Sequence, residues 1–333
     1  MILVVGATGQ LGTAVTRKLV AAGKEVRILV RPGSQAGHLQ ATGVEVVEGD
    51  LRDLASLNAA CRDVNVVVAT ANAIIRPRGD DFESVEGAGY RNLIKAAEQQ
   101  GVRQFIFPSV PDWSGAEKIP VLKYKRLNEQ RLQSSQLSYT IVRFSVFMDV
   151  WLALLGSHIP SRGAESPTVA RPFWFSRLYM GLVGGLIEKR GLAIVPGSGN
   201  ARHAFITVDD AARFLVQTID HPQAQRAVLN VGGPEVLSWN EALDLFGAVL
   251  GRKIRRIPFP APLARANRAL LNPIAEGPAN IMGMMAMVGT QDSAYDRANA
   301  DLFLQEPMKT MRSFLEEKVI QVERGSAPQA IEA

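Results

Sequence analysis

The chain opens on an apolar run that breaks at once into three spaced glycines: Met1-Ile-Leu-Val-Val-Gly6-Ala-Thr-Gly9-Gln-Leu-Gly12. A helical pattern follows, with Leu11, Val15 and Leu19 on one face. The segment reads as strand, tight turn and helix N-terminus. Such a junction suits a pyrophosphate, because backbone N–H groups and the positive end of the helix dipole converge on one spot. Gly6 makes the sharp turn, Gly9 lets the backbone approach the phosphates, and Gly12 lets helix and strand pack closely. Thr8 adds a hydroxyl, and Gln10 and Leu11 fall in the same phosphate-binding turn. A glycine triplet alone is weak evidence, so its context matters. Here a second apolar strand, Val26-Arg-Ile-Leu-Val30, follows and ends on Arg31.

Strands and helices then alternate to about residue 145. The patterning predicts strands at 2–5, 25–31, 44–48, 64–70, 103–108 and 138–143, and helices near 10–22, 53–61, 82–100 and 116–135. Alternation of this kind implies right-handed βαβ units and a parallel sheet. Continuously apolar strands fit burial on both faces by helices. The expected fold is α/β: a doubly wound parallel Rossmann sheet with a smaller, mostly C-terminal substrate-binding region. Residues 1–145 and 192–232 are assigned to the nucleotide-binding part. In the second stretch, Ala193–Val195 and Val228–Val231 are expected to be strands returning to the main sheet. Residues 146–191 and 233–322 are assigned to the substrate or lid region, and 323–333 to a flexible polar tail. Ser238 followed by Glu241 predicts a capping box for a helix over 239–250. The methionines at 282, 284, 285 and 287 suit either a core or an apolar substrate pocket.

Residues at the C-terminal ends of parallel strands face the ligand crevice. After the second strand comes Arg31-Pro-Gly-Ser34. An NAD-selective site usually places an acid here for the ribose hydroxyls, whereas Arg31, helped by Ser34, pairs with a 2′-phosphate; NADP(H) is therefore favoured over NAD(H). After the third strand comes Gly49-Asp50-Leu51, where Asp50 can accept from an adenine amino group and Leu51 can pack on the ring. After the fourth, the small residues Ala69 and Ala71 would let ribose and nicotinamide lie near the backbone.

These residues and three later blocks resemble the atypical short-chain dehydrogenases/reductases, in particular the NmrA-like, isoflavone-reductase-like branch. The blocks are Val85-Glu-Gly-Ala-Gly-Tyr-Arg-Asn92-Leu-Ile-Lys-Ala-Ala97, Lys125-x-x-x-Glu129 running on to Arg143, and His203-x-Phe205-Ile-x-Val208-x-Asp210. The resemblance covers about residues 1–250. It implies a nicotinamide cofactor and either reduction of a small apolar carbonyl, enone, quinone or aromatic compound, or a non-catalytic role as redox sensor or assembly factor. Members of the wider superfamily carry Tyr-x-x-x-Lys, the tyrosine transferring a proton and the lysine holding the nicotinamide ribose. Aligning on Lys125 places Val121 where the tyrosine would stand. The other register keeps Tyr124 and loses the lysine, since neighbouring helical residues point about 100° apart. Ser109 matches the start of the usual serine pair. Lys125 is thus the catalytic candidate, as ribose clamp or proton donor.

The rest of the composition narrows the class. A net charge of +5 with no basic block interleaved with aromatics argues against a specific nucleic-acid partner. Cys61 is the single cysteine, so no intrachain disulfide forms, and its place on an apolar helix face reads as a small buried hydrophobe. The four histidines are scattered, without metal-ligand spacing. No span of uninterrupted apolar residues is long enough for a membrane helix, and a cytoplasmic location is expected. A protein partner or a homodimer is compatible with all of this.

Overall fold

A computed structural model describes residues 1–34, 36–74, 80–170 and 173–326. The first half alternates as the pattern predicts: β1 (Ile2–Val5), α1 (Gln10–Ala21), β2 (Val26–Val30), α2 (Gly37–Gln40), β3 (Glu45–Glu48), α3 (Leu54–Cys61), β4 (Val66–Ala69), α4 (Tyr90–Gln99), β5 (Gln104–Ser109), α5 (Pro120–Gln133) and β6 (Ser138–Phe144). A wide helical turn over Glu83–Gly89 leads into α4, and Pro120 starts α5 at the position where its missing N–H costs nothing.

The remainder adds α6 (Met148–Leu154), α7 (Trp174–Val183), α8 (Leu186–Arg190), β7 (Leu192–Pro196), β8 (Arg202–Ala204), α9 (Val208–Gln217) and β9 (Ala227–Val231). It closes with β10 (Val236–Ser238), α10 (Trp239–Val249), β11 (Arg255–Phe259), α11 (Ala261–Leu271), α12 (Glu276–Val288), α13 (Ala298–Phe303) and α14 (Met311–Ser326). The capping box on α10 is present as predicted, with Ser238 Oγ accepting from the Glu241 amide and Glu241 Oε2 accepting from the Ser238 amide.

Seven strands form one parallel sheet in the order β3-β2-β1-β4-β5-β6-β9. This is the Rossmann arrangement, and its order reverses between β1 and β4. The central strands β1, β4 and β5 are buried on both faces. In β1, Ile2 and Val4 pack with Val15 and Leu19 of α1 and Phe214 and Leu215 of α9, while Leu3 and Val5 pack with Leu57 of α3 and Leu93 of α4. The period of two in strand side chains thus divides one apolar run between two cores. Cys61 lies in the second core, and burial pushes its thiol up to about 12.

One expectation is corrected. Ala193–Val195 does form a strand, but β7 pairs with β11 in a separate parallel ribbon rather than joining the main sheet. Only Ala227–Val231 returns, beside β6. A short apolar strand identifies no partner, and the partner here lies some sixty residues downstream. α14 continues to Ser326, into the stretch assigned to the tail, and residues 327–333 lie outside the described residues. A third core joins the two parts through Trp151, Phe205, Trp239, Phe246 and Phe314. Among the described residues, no helix is long and apolar enough to cross a membrane.

Candidate functional site

The sequence-predicted residues converge along one edge of the sheet. The C-terminal ends of β3, β2, β1, β4 and β5 carry Asp50, Arg31, the glycine turn, Ala69–Ala71 and Pro108–Ser109 in that spatial order. Neighbouring strands lie about 4.8 Å apart, so these ends form a row roughly 19 Å long.

At the centre of the row, Gly6 adopts a φ of +87°, and a Cβ there would fall 2.5 Å from the Ala71 nitrogen. A Cβ on Gly12 would fall 2.2 Å from the Gly6 carbonyl oxygen and 2.7 Å from Thr70 Oγ1. Both positions therefore exclude a side chain through the packing of β1, β4 and α1. Thr70 ties these pieces together, its hydroxyl donating to the Val5 and Gly6 carbonyls at 3.0 and 3.2 Å. Around Gly9 there is more room, a Cβ there meeting only the Gly6 carbonyl oxygen at 3.2 Å. Gly9 caps α1 with extended backbone, no side chain caps the helix, and no acid occupies its first turn. This cradle fits a dinucleotide phosphate: an uncapped helix end of positive potential, reached over a glycine.

The flank of this turn is covered by residues 166–168, which lie in the stretch assigned to the substrate or lid region. Ser166 Oγ donates to the Thr8 carbonyl at 2.7 Å, and the Thr168 amide and hydroxyl both donate to Gln10 Oε1 at 2.9 Å. The Gln10 side chain is thereby held against the 166–168 segment. Leu11 is half-buried beside the α1 core.

On the β2–β3 side, Arg31 and Arg52 are brought together by a third residue. Asp80 Oδ2 lies 2.5 Å from Arg31 Nη1, and Asp80 Oδ1 lies 3.1 Å from Arg52 Nη1. Arg52 also grips Asp50, its Nε and Nη2 donating to Oδ1 and Oδ2 at 2.9 and 2.7 Å. That guanidinium holds the Asp50 carboxyl below its usual range. Ser34 sits on the exposed turn after β2, its amide donating to the Arg31 carbonyl at 2.9 Å. Leu51 is buried in the core against the turn at Gly89. The Asp50–Arg52 contact was within reach of sequence reasoning, two residues apart in one loop. Asp80, forty-nine residues from Arg31, gave no signal.

On the β4–β5 side, Tyr90 of α4 donates to the carbonyls of Ala69 and Ala71, which fixes the end of β4. Lys125 of α5 is only 7% exposed. Its Nζ donates to the Pro108 carbonyl at 2.9 Å and lies 4.4 Å from the Phe107 ring centroid. Burial lowers its pKa, an effect opposed by the charges of Glu86 and Glu129. Glu86, missed in the sequence, is fully buried: Oε1 accepts from the Ala73 amide, while Oε2 has no hydrogen-bond partner among the described residues. Burial raises its pKa.

Val121 and Tyr124, the two residues that align with the superfamily tyrosine, are both engaged in other contacts. Val121 is 1% exposed, its side chain in the core and its amide bonded to Asn280 Oδ1. Tyr124 donates to Glu83 Oε2 at 2.6 Å, and burial together with that bond pushes its phenol up to about 12. Ser109 is likewise committed, donating to Glu129 Oε1 at 2.5 Å. Glu129 is also paired with Arg126 and Arg143.

The block around His203 proves structural. His203 is wholly buried, Nε2 facing the Val288 carbonyl at 2.9 Å and Nδ1 facing Ser293 Oγ at 2.7 Å. A carbonyl only accepts, so Nε2 carries a proton. Burial moves its pKa down to about 4. Thr207 caps α9, and Asp210 accepts from the Lys309 amide and pairs with Arg213. The methionine-rich helix α12 lines an apolar cavity of about 70 Å³ through Met282 and Met285, with Leu154, Tyr179 and Phe259. That is well under the roughly 300–1,000 Å³ of ordinary ligand pockets.

Comparison with known proteins agrees with this architecture. A NADPH-dependent quinone oxidoreductase from Escherichia coli, solved with NADPH, superposes with a TM-score of 0.69 over 95% of this chain and 99% of that one, at 20% identity. A photosystem II assembly factor Ycf39 from Cyanophora paradoxa is 33% identical over 262 residues, 77% of this chain and 71% of that protein. An NAD(P)H azoreductase from Xenophilus azovorans is 28% identical over 257 residues, 77% and 76% of the two chains. The pattern shared by the NmrA-like family matches residues 1–301, from the glycine turn through α13. With the glycine cradle, the parallel order of its strands and that match along most of its length, the chain belongs to the NmrA-like family.

Proposed function

We propose that the protein is an NADP(H)-dependent reductase of a small apolar carbonyl, enone, quinone or aromatic compound. The observation that carries this reading is the row of strand ends, with a phosphate cradle in the middle, arginines at one end and a buried lysine at the other. The glycine turn and the α1 N-terminus would hold the diphosphate. Arg31 and Ser34 would face the adenosine ribose and its 2′-phosphate, with Asp50 and Leu51 toward the adenine. Ala69 and Ala71 would allow close approach of the second ribose and the nicotinamide. When bound, a reduced nicotinamide supplies a hydride.

Lys125 supplies what remains. An ammonium has three donors, and the Pro108 carbonyl uses one, which leaves others for a ribose hydroxyl or for the oxygen that gains charge as a carbonyl is reduced. A lysine whose pKa is lowered by burial is a better proton donor near neutral pH than an exposed one. The azoreductase and quinone oxidoreductase relatives are consistent with this class of chemistry.

A second reading has specific support. Tyr124 bonds to Glu83 and Val121 lies in the core, so neither position aligned with the superfamily tyrosine offers a free phenol. A chain that binds the dinucleotide without turning it over, as a redox sensor or assembly factor, would show this arrangement, and an assembly factor is among the relatives. A screen of NADPH oxidation against quinones, enones and aromatic ketones separates the two. Turnover that Lys125→Met removes supports the reductase. Tight NADPH binding with no turnover across the screen supports the sensor.

A further inference from the structure

We propose that Asp80 is a built-in competitor for the anion bound by Arg31 and Arg52, and so sets how strongly the site prefers a 2′-phosphorylated dinucleotide over an unphosphorylated one. The inference rests on the reading above, in which Arg31 faces the adenosine ribose. β2 and β3 are parallel neighbours, with Val30 opposite Glu48. Arg31 and Arg52 therefore emerge side by side from the same edge.

The Asp80 carboxylate bridges the two guanidiniums, one oxygen to each, at 2.5 and 3.1 Å. One anion shared by two arginine forks is the arrangement a phosphate monoester would take in this place. The Asp80 side chain is 5% exposed, while those of Arg31 and Arg52 are 45% and 48% exposed. The acid is thus inserted beneath the two cations, and their outer faces stay in water. Asp50 holds Arg52 from the other side through two hydrogen bonds. Two arginines and two aspartates sum to no net charge. An arriving phosphate must share the arginines with Asp80 or displace it, and it meets like charge in either case. A ribose without the phosphate meets no such conflict. Asp80 then lowers affinity for the phosphorylated cofactor selectively and moves the site toward accepting both forms.

The test is titration of the full chain with NADPH and with NADH, followed by nicotinamide fluorescence, at two salt concentrations. Asp80→Asn keeps the size of the side chain and removes its charge; Asp80→Ala is the second variant, and thermal melting confirms that each is folded. Both are expected to bind NADPH about tenfold more tightly than the natural chain, with NADH affinity changed less than twofold. The NADPH gain should shrink at high salt and vanish when Arg31→Ala is added. Unchanged or weaker NADPH binding in both variants, with Arg31→Ala still narrowing the preference for NADPH, overturns the role of Asp80 and leaves the placement of the 2′-phosphate intact. If the natural chain binds the two cofactors equally and Arg31→Ala affects neither, the placement itself fails, and this inference with it.

Discussion

The Tyr124 hydroxyl donates to Glu83 Oε2 across 2.6 Å, joining α5 to the turn that precedes α4. The only phenol near Lys125 in sequence is thereby engaged in a structural contact, and its pKa is driven up to about 12 by burial and by that bond. Tyr124→Phe should leave kcat for NADPH oxidation within twofold. The lost hydrogen bond to a charged acceptor should cost about 1.5–3 kcal/mol of stability, seen as a lower melting temperature. A drop in kcat of tenfold or more at unchanged cofactor affinity would return the phenol to the chemistry.

Lys125 makes the opposite prediction. Lys125→Met should lower kcat by at least about 100-fold, within the range ascribed to general acid catalysis, while the chain still folds. Folding survives because Glu86, already raised in pKa by burial, takes a proton when its positive neighbour is removed. On the reductase reading, the activity of the natural chain should decline as pH rises through a lysine pKa lying below the ordinary 10.5. The Glu86 charge holds that pKa up, so Glu86→Gln should move the declining limb to lower pH. A pH–rate profile of the two proteins checks this, and a limb that does not move removes Glu86 as a positioning residue.

The glycines of the first turn should separate folding from binding. A methyl group at Gly12 would collide with the Gly6 carbonyl and Thr70, both fixed by β1 and β4. Gly12→Ala should therefore cost about 3 kcal/mol or more in stability, as over-packing does, and lose cofactor binding with it. At Gly9 the added methyl meets one carbonyl oxygen at 3.2 Å and otherwise points into the space above the turn. Gly9→Ala should melt within a few degrees of the natural chain yet bind NADPH at least tenfold more weakly. Equal binding by Gly9→Ala would place the phosphates elsewhere.

What the sequence disclosed and what it hid follow from the range of each interaction. The Ser238–Glu241 cap is local, its residues acting within one turn of chain, and the glycine turn is marked by its own spacing even though its packing reaches Thr70 and Ala71. The order of the main sheet follows from short βαβ connections, which have few alternatives. The parallel pairing of β7 with β11 has no such local signature. The His203 block was visible as a pattern, but its meaning lies in Val288 and Ser293, eighty-five and ninety residues downstream. Lys125 could be found by spacing. Glu86, whose charge acts on Lys125, carries no such spacing, and only burial shows that a carboxylate there is costly.

Two buried groups give the fold an unusual response to acid. Asp149 on α6 accepts from the Val208 amide at the start of α9, and burial raises its pKa from 3.8 to about 6, with Lys318 opposing and Asp209 reinforcing the shift. Between those values the folded state binds the proton more readily than the unfolded one, so acidification from pH 7 to pH 4 stabilises through Asp149 by about 3 kcal/mol. His203 has the reverse sign. Its pKa falls from 6.5 to about 4, so its contribution is complete above 6.5 and is lost as pH falls toward 4, again by about 3 kcal/mol. The two offset each other across the same window. Asp149→Asn keeps an acceptor for the Val208 amide and removes the titration. Relative to the natural chain it should be favoured at pH 7, where the buried charge is absent, and lose about 3 kcal/mol of that advantage by pH 4. Urea unfolding of both proteins at pH 7, 5.5 and 4 measures the difference directly. Curves that stay parallel across this range would show that Asp149 titrates as an ordinary exposed carboxylate.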